Sequence, residues 1–296
     1  MSTGTAGKLT IEGNEIAVTN PDKLLWPEAG ISKLHYIQKL IALSPYLLRY
    51  TRNRYLTVIR YPDGVKGKHF YQKNAPQPQP PFVRTAFKDK VDYVHLDSLS
   101  TLVWLGNLAA LEFHPSFEYI GGDEPAEWVL DIDPEDENEE RLTEAVGLVG
   151  ETLAVMGIVS VPKTSGATGV QLVVPIKRGY TFERLRKLGE FLGSYLSEKH
   201  PRLFTIERYL KDRGGRIYLD YVQHASGKSL AAPYTPRARP AATVSTPLTW
   251  DEVRAEGIRP SRYTLLTIEQ RLREKGDLIA KAVRQPLDDV LKFIGA

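Results

Sequence analysis

The chain of 296 residues contains no cysteine. Disulfides, thiolate zinc sites and a cysteine nucleophile are therefore excluded. No apolar run approaches the roughly 20 residues of a membrane span. Met1 to Gly7 is small and polar, without the apolar centre of a secretory signal. A cytoplasmic location is the simplest reading. A strong charge of one sign is also missing. The net charge of +3 is too mild to announce nucleic acid, and the distribution of charge matters more than its total. No internal repeat is visible, and no flexible linker divides the chain. What remains is ordinary for a globular protein, 42% hydrophobic and 25% charged, and long enough for one large domain or two modest ones.

The most informative stretch is Val129-Leu130-Asp131-Ile132-Asp133-Pro134. Its β-branched and apolar residues favour a strand, and Pro134 ends it. Side chains alternate across a strand, so Asp131 and Asp133 share one face while Leu130 and Ile132 can be buried on the other. At about 3.3 Å per residue the two Cα atoms lie roughly 6–7 Å apart. Two carboxylates so spaced can share hard divalent cations about 4 Å apart, as two-metal phosphoryl transfer requires. A strand end with solvated aspartates before a turn would read the same in isolation.

Upstream, Lys8 to Thr19 reads as two short strands joined at Glu12-Gly13-Asn14-Glu15. Turns follow at Asn20–Lys23 and Pro27–Gly30. Ser32 caps a helix from Lys33 to about Leu48, with a kink expected at Pro45. Lys23 and Lys33 flank the connecting loop, where both could simply be solvated. Residues 49–73 are the most basic stretch: Arg49, Arg52, Arg54, Arg60, Lys66, Lys68 and Lys73 are interleaved with Tyr55, Tyr61, His69, Phe70 and Tyr71. Cations beside aromatics suit a phosphate backbone with stacked bases, and a hairpin with a charged outer face competes with that reading. Strands are expected at Tyr55–Tyr61, Lys68–Gln72 and Val91–Leu96. A helix is expected over Ser98–Leu111, then a short strand Leu111–Pro115 ending near His114.

After the aspartate strand, an acidic loop leads into a helix from about Glu139 to Met156, and Ile158–Val161 reads as a strand. Ser165-Gly166-Ala167-Thr168-Gly169 then opens another strand. Two glycines three residues apart let backbone N–H groups approach phosphate oxygens, with Ser165 and Thr168 as hydroxyl donors. The Gly-Lys-Ser/Thr ending of a Walker loop is absent, and a plain hairpin turn is the alternative. Tyr180–Lys199 is an amphipathic helix capped by Thr181. Arg213-Gly214-Gly215 is a turn, and Arg216–Tyr221 is a strand that places Asp220 among apolar neighbours, where a carboxylate needs a partner or a cation. Prolines 233, 236 and 240 argue for an extended loop carrying Lys228, Arg237 and Arg239. Surface helices are expected at Trp250–Glu256 and Thr267–Lys275, and a terminal one at Leu287–Phe293.

Asp-x-Asp on a strand, Ser-Gly-x-x-Gly leading into a strand, and a later apolar-Asp-apolar strand occur in that order. The set resembles the three motifs of the archaeo-eukaryotic primase superfamily. It is closest to the polymerase domain of bacterial ligase D and its stand-alone relatives in nonhomologous end joining. Thr19–Lys23, Arg60–Val65, Ala110–His114, Asp220–Gln223, Gly227-Lys228 to Tyr234 and Arg237–Pro240 carry the resemblance further, over most of the chain. It implies an α+β fold: an RRM-like catalytic sheet over about 125–245, a smaller N-terminal α/β part over about 8–120 beside it that binds DNA, and a helical tail over 246–296, all within one polymerase domain.

By that resemblance Asp131, Asp133 and Asp220 are catalytic and hold two Mn²⁺ or Mg²⁺ ions. Ser165 with Gly166 to Gly169 holds the triphosphate, and His114, Gln223, Lys228 and Arg237 line the nucleotide pocket. Lys23 and Lys33 grip a DNA 5′-phosphate, Phe70 and Tyr71 stack on the template, and Arg60 and Arg213 help place the primer or a second end. Many relatives carry histidine where this chain has Gln171, and glutamine donates a hydrogen bond without charge.

The implied activity is a template-directed nucleotidyltransferase that fills gaps and extends ends, prefers ribonucleotides and works on DNA at the nucleoid. No ligase lysine motif is present, so a separate ATP-dependent ligase and a Ku-type end-binding protein are the expected partners. A primer-independent primase of the same fold, a non-catalytic end-binding module and a metal-dependent nuclease are the rival readings. The intact aspartates argue against the second, and the Ser-Gly-x-x-Gly loop with Arg237 argues against the third.

Overall fold

The computed structural model describes residues 7–296, so residues 1–6 of the polar N-terminal stretch lie outside the described residues. The chain forms two compact units. The first holds the residues up to Ser116 together with Ser229–Ser245 and Ser261–Arg273. The second holds Phe117–Lys228, Thr246–Pro260 and Glu274–Ala296.

The first unit opens with the antiparallel hairpin of β1 (Gly7–Ile11) and β2 (Asn14–Val18), followed by the short pair β3 (Leu24–Trp26) and β4 (Ile31–Ser32). Ser32 accepts a hydrogen bond from the His35 N–H and so caps α1 (Lys33–Thr51). The helix outruns its expected end and passes through Pro45. Proline offers no N–H to the carbonyl of Ile41, one turn earlier. The Ser44 hydroxyl donates to that carbonyl instead, at 2.8 Å. Tyr36, Leu40, Leu43 and Leu47 of α1 are buried with Trp26 in one core, and Tyr36 donates to the Ala110 carbonyl at 2.5 Å.

β5 (Arg54–Arg60) adds Leu56, Val58 and Ile59 to that core and pairs with β6 (Phe70–Gln72). The hairpin of β7 (Arg84–Lys88) and β8 (Val91–His95) follows, then α2 (Leu99–Asn107) and β9 (Ala110–Tyr119). β6, β5 and β9 form a three-stranded sheet in that order. The α2 helix is shorter than expected because Ala109 adopts a left-handed conformation, φ +57°, which turns Ala110 and Leu111 into β9. β9 runs on through Pro115 because it is an edge strand, where the missing N–H costs no ladder bond.

Ser229–Ser245 groups with this unit, whereas the sequence grouped it with residues from about 125 onward. Its backbone docks along β9, with the Ala232 N–H donating to the Phe113 carbonyl at 3.0 Å and the Leu230 N–H to the Pro115 carbonyl at 3.3 Å. The expected tail also divides, with Ser261–Arg273 in this unit and the remainder in the second.

The second unit is built on β10 (Trp128–Asp133), α3 (Leu142–Val155), β11 (Val161–Thr164), β12 (Val170–Val174), α4 (Phe182–Lys199), β13 (Phe204–Thr205) and β14 (Ile217–Asp220). The sheet order is β11-β12-β10-β14-β13, antiparallel except for β13 beside β14. Without β13 this is the β-α-β-β-α-β arrangement of split βαβ folds. β11 starts later than Ile158 and includes Pro162. That position is tolerated on a sheet edge, which the Leu248 N–H covers by donating to the Pro162 carbonyl at 2.8 Å. Leu130, Ile132, Leu172, Val170 and Leu219 are fully buried on one face of the sheet. A Cβ at Gly193 of α4 would touch Leu219, so α4 covers that face. The opposite face carries Asp131, Asp133 and their neighbours.

Gly150 of α3 faces the Trp250 ring, and a Cβ there would meet Trp250 Cη2 at 2.1 Å. The ring is held by its own N–H, which donates to the Ser160 carbonyl at 2.8 Å. Gly150→Ala should therefore lower the unfolding free energy by about 1–3 kcal/mol through overpacking, measured by urea denaturation. An unchanged midpoint would show that the ring can move aside.

Candidate active site

Residues directly opposite on paired antiparallel strands share a face, with Cβ atoms roughly 4.5–5.5 Å apart. Asp131 of β10 is opposite Asp220 of β14 on one side and Gln171 of β12 on the other, and Gln171 is opposite Lys163 of β11. One row thus runs Lys163–Gln171–Asp131–Asp220 across four strands. Lys163 donates to Gln171 Oε1 at 2.6 Å, and Gln171 Nε2 donates to Asp131 Oδ1 at 2.9 Å. Lys163 and Gln171 are buried. Two residues on, Asp133 shares the face and is opposite Tyr218.

The three carboxylates are each half engaged. Asp131 uses Oδ1 for Gln171. Asp133 uses Oδ2 for Arg213 at 3.4 Å. Asp220 uses Oδ1 to accept from the Tyr218 hydroxyl and from the N–H groups of Val222 and Gln223, at 3.1, 3.0 and 2.8 Å. Among the described residues, the second oxygen of each has no protein partner. Burial pushes Asp131 up to about 7; the Gln171 hydrogen bond and Lys163 oppose the rise, while Asp133 and Asp220 add to it. Burial also raises Asp133, against the pull of Arg213.

No three His, Asp or Glu side chains among the described residues are drawn into a ready-made metal cage. The donor set nevertheless fits a hard divalent cation. It is all carboxylate oxygen, on one face, with one uncommitted oxygen on each group.

Arg213, at the end of the short helix Leu210–Arg213, is buried beside Asp133. Its guanidinium lies 4.1 Å from the Tyr218 ring centroid and donates to the Arg208 carbonyl at 3.2 Å. Its charge answers Asp133, which draws it inward. In the glycine loop, Ser165 Oγ accepts from the N–H groups of Ala167 and Gly169, both at 3.1 Å. Gly166 has φ +72° and supplies the turn. Gly169 is needed for a different reason, because a Cβ there would lie 2.6 Å from the Ile132 carbonyl oxygen. It lets the loop close on β10. Gln223 reaches the site through its backbone, and Lys228 donates to the Val222 carbonyl at 3.0 Å in the same turn.

His114 and Arg237 lie in the first unit, joined by Glu112, a residue of the Ala110–His114 motif to which the sequence reading gave no role of its own. Positions 112 and 114 share a face of β9. Glu112 Oε2 is 2.9 Å from both His114 Nε2 and Arg237 Nε, and Oε1 accepts from the Ala238 N–H at 3.0 Å. Burial alone would raise Glu112. The His114 hydrogen bond, Arg237 and the Ala238 N–H outweigh it and hold the carboxyl at about 2. The available signal was a carboxylate flanked by Leu111 and Phe113, the same signal that marked Asp220.

The first unit also gathers Lys23, Lys33 and Arg60. The Lys33 N–H donates to the Lys23 carbonyl at 2.8 Å, which ties the two lysines together. Lys33 is 5% exposed. Its ammonium is pushed down to about 8 by burial, Lys23 and Arg60. Lys23 pairs with Asp63 at 2.7 Å. Arg60 donates to the Leu108 carbonyl and to Gln72, each at 2.8 Å, and lies over the Phe70 ring. Phe70 and Tyr71 keep 44% and 68% of their surfaces exposed, enough to offer ring faces to a ligand.

Residues 32–279 match the family model described as LigD, primase-polymerase domain. The bifunctional non-homologous end joining protein LigD of Bacillus subtilis is 36% identical over 95% of this chain, which corresponds to 46% of that protein. The multifunctional LigD of Mycolicibacterium smegmatis is 29% identical over 92% of the chain and 36% of its own length. The chain thus spans less than half the length of these relatives. Among solved structures, the polymerase domain of Mycobacterium tuberculosis ligase D in complex with DNA superposes with a TM-score of 0.82. It is 27% identical, with 90% of this chain and 99% of that one covered.

Glu112 is depressed below its ordinary 4.5, so its ion pairs stabilise the fold above that pH and lose their effect as the pH falls toward about 2. Glu112→Gln should therefore unfold at lower denaturant than the wild type at neutral pH, and the gap should narrow between about pH 4.5 and 2. A pH-independent gap in chemical denaturation would contradict the ionic role.

Proposed function

The chain belongs to the LigD primase-polymerase family, a family of nucleotidyltransferases, and we propose that it fills gaps and extends DNA ends by templated nucleotide addition during nonhomologous end joining. The observation that carries this reading is the catalytic face. Asp131 and Asp133 of one strand and Asp220 of its neighbour share that face, each with one oxygen anchored to protein and one left over. Asp131, Asp133 and Asp220 would hold two Mn²⁺ or Mg²⁺ ions. When bound, such ions lower the pKa of a 3′-hydroxyl and neutralise a triphosphate and its leaving group.

The chain's own residues do the rest. Asp220, held by the backbone of Val222 and Gln223, faces the attacking hydroxyl. Ser165 and the loop to Gly169 receive the triphosphate. His114 and Arg237, fixed on Glu112, serve the nucleotide, along with Gln223 and Lys228. Arg213 neutralises Asp133, and a part for it in placing the primer follows from the family likeness. Ribonucleotide preference and good use of Mn²⁺ follow from the family likeness.

In the first unit, Lys23, Lys33 and Arg60 present three cations to one anion. That suits the 5′-phosphate at a gap or recessed end, with Phe70 and Tyr71 stacking on the template beside it. DNA as substrate implies work at the nucleoid, with ATP-dependent ligation and Ku-type end binding supplied outside these residues. No helix among the described residues is long and apolar enough to cross a membrane.

Asp133→Ala should abolish primer extension while leaving binding of gapped DNA within about twofold. An active variant in a single-turnover extension assay refutes the metal assignment. For the phosphate site, a charged hydrogen bond is worth about 1.5–3 kcal/mol. Lys33→Ala should therefore cut the preference for 5′-phosphorylated over unphosphorylated gaps by about tenfold or more. A phosphate dianion raises the Lys33 pKa from about 8, so above that pH binding must take up a proton. The preference should hold below pH 8 and weaken above it. Equal wild-type affinity for both gaps, measured by fluorescence anisotropy, would remove the role.

A further inference from the structure

The catalytic row contains two residues that the proposed chemistry does not use, Lys163 and Gln171. Both are buried, and both lie on the carboxylate face. The Gln171 amide is committed at each end, accepting from Lys163 at 2.6 Å and donating to Asp131 at 2.9 Å. Its orientation is not arbitrary. An ammonium only donates, so the amide must turn its oxygen to Lys163 and its NH2 to Asp131, whose carboxyl oxygen can accept in either protonation state. The ammonium thus acts at a distance by fixing which end of the amide meets Asp131. With both ends engaged, Gln171 is turned along the sheet row toward the carboxylate.

We propose that Lys163 and Gln171 are a positioning pair that holds Asp131 by Oδ1 and so presents Oδ2, beside Asp220, to a divalent cation. This rests on the polymerase reading, and it adds two residues that act through Asp131. The pair acts through Asp131, as outer partners of metal ligands do, whose removal typically costs 10–100-fold in metal affinity. It also gives Gln171 a task of its own: a neutral donor aimed at the carboxylate in place of a group aimed at phosphate.

The test is a Mn²⁺ titration of the full chain, without nucleotide or DNA, read by electron paramagnetic resonance of the free ion. Lys163→Met and Gln171→Met keep side-chain length and remove the hydrogen bonds. Each should weaken Mn²⁺ binding about tenfold or more. The double variant should be no worse than Gln171→Met by more than about threefold, because residues in one network are not additive. Unchanged binding in the single variants, or losses that multiply, would overturn the pairing. Should Lys163→Met fail to fold by circular dichroism, Gln171→Met decides alone: weakened binding supports the pair and wild-type binding refutes it. Asp133→Ala in the same titration separates the two levels. If it binds Mn²⁺ like the wild type, the metal assignment itself falls, and the pair with it. If it loses Mn²⁺ while both methionine variants bind normally, only the pair is refuted.

Discussion

Asp131 and Asp220 stand opposite one another on neighbouring antiparallel strands. Like charges so placed destabilise a sheet, and the rest of the carboxylate face is arranged to contain that repulsion. The opposite face of the same strands is fully apolar, with Leu130, Ile132, Leu172 and Leu219 locking the register. A slip of one residue would drive the aspartates into the apolar core and turn its side chains onto the carboxylate face. Register is therefore what holds the carboxylates together, and burial is what holds the register.

Protein groups then answer each carboxylate on one side only. Gln171 with Lys163 answers Asp131, Arg213 answers Asp133, and the turn after β14 answers Asp220. The remaining need for positive charge is what a cation would meet. The first unit uses the same logic with opposite signs at two places. Glu112 is a buried anion surrounded by a histidine, an arginine and a backbone N–H. Lys23, Lys33 and Arg60 are cations gathered with Asp63 as counter-charge to Lys23.

Much of this was legible in the residues themselves. Alternation around Asp131 and Asp133 implied a shared face. Ser32 and Thr181 announced their helices, and the Glu12–Glu15 turn announced the first hairpin. Less was legible where the decisive fact is a pairing between distant segments. Nothing local in Lys163 says that it lies across a strand from Gln171, or that Gln171 lies beside Asp131. β11 was displaced because Ile158 and Val159 look like a strand and Pro162 does not, yet the edge position admits the proline. α2 ended early on a left-handed alanine, a conformation that residue type does not signal. Ser229–Ser245 docks on β9 by backbone hydrogen bonds, which side-chain patterns do not encode.

The central claim is that the carboxylate face joins a nucleoside triphosphate to a DNA 3′-end. The most direct measurement incubates end-labelled gapped DNA bearing a 5′-phosphate with Mn²⁺ and each nucleotide separately, and resolves product lengths on a denaturing gel. The account predicts lengthening by the nucleotide complementary to the template base in the gap, and by ribonucleotides more readily than deoxyribonucleotides. Shortening of the labelled strand, or no change in length with any nucleotide, would contradict it.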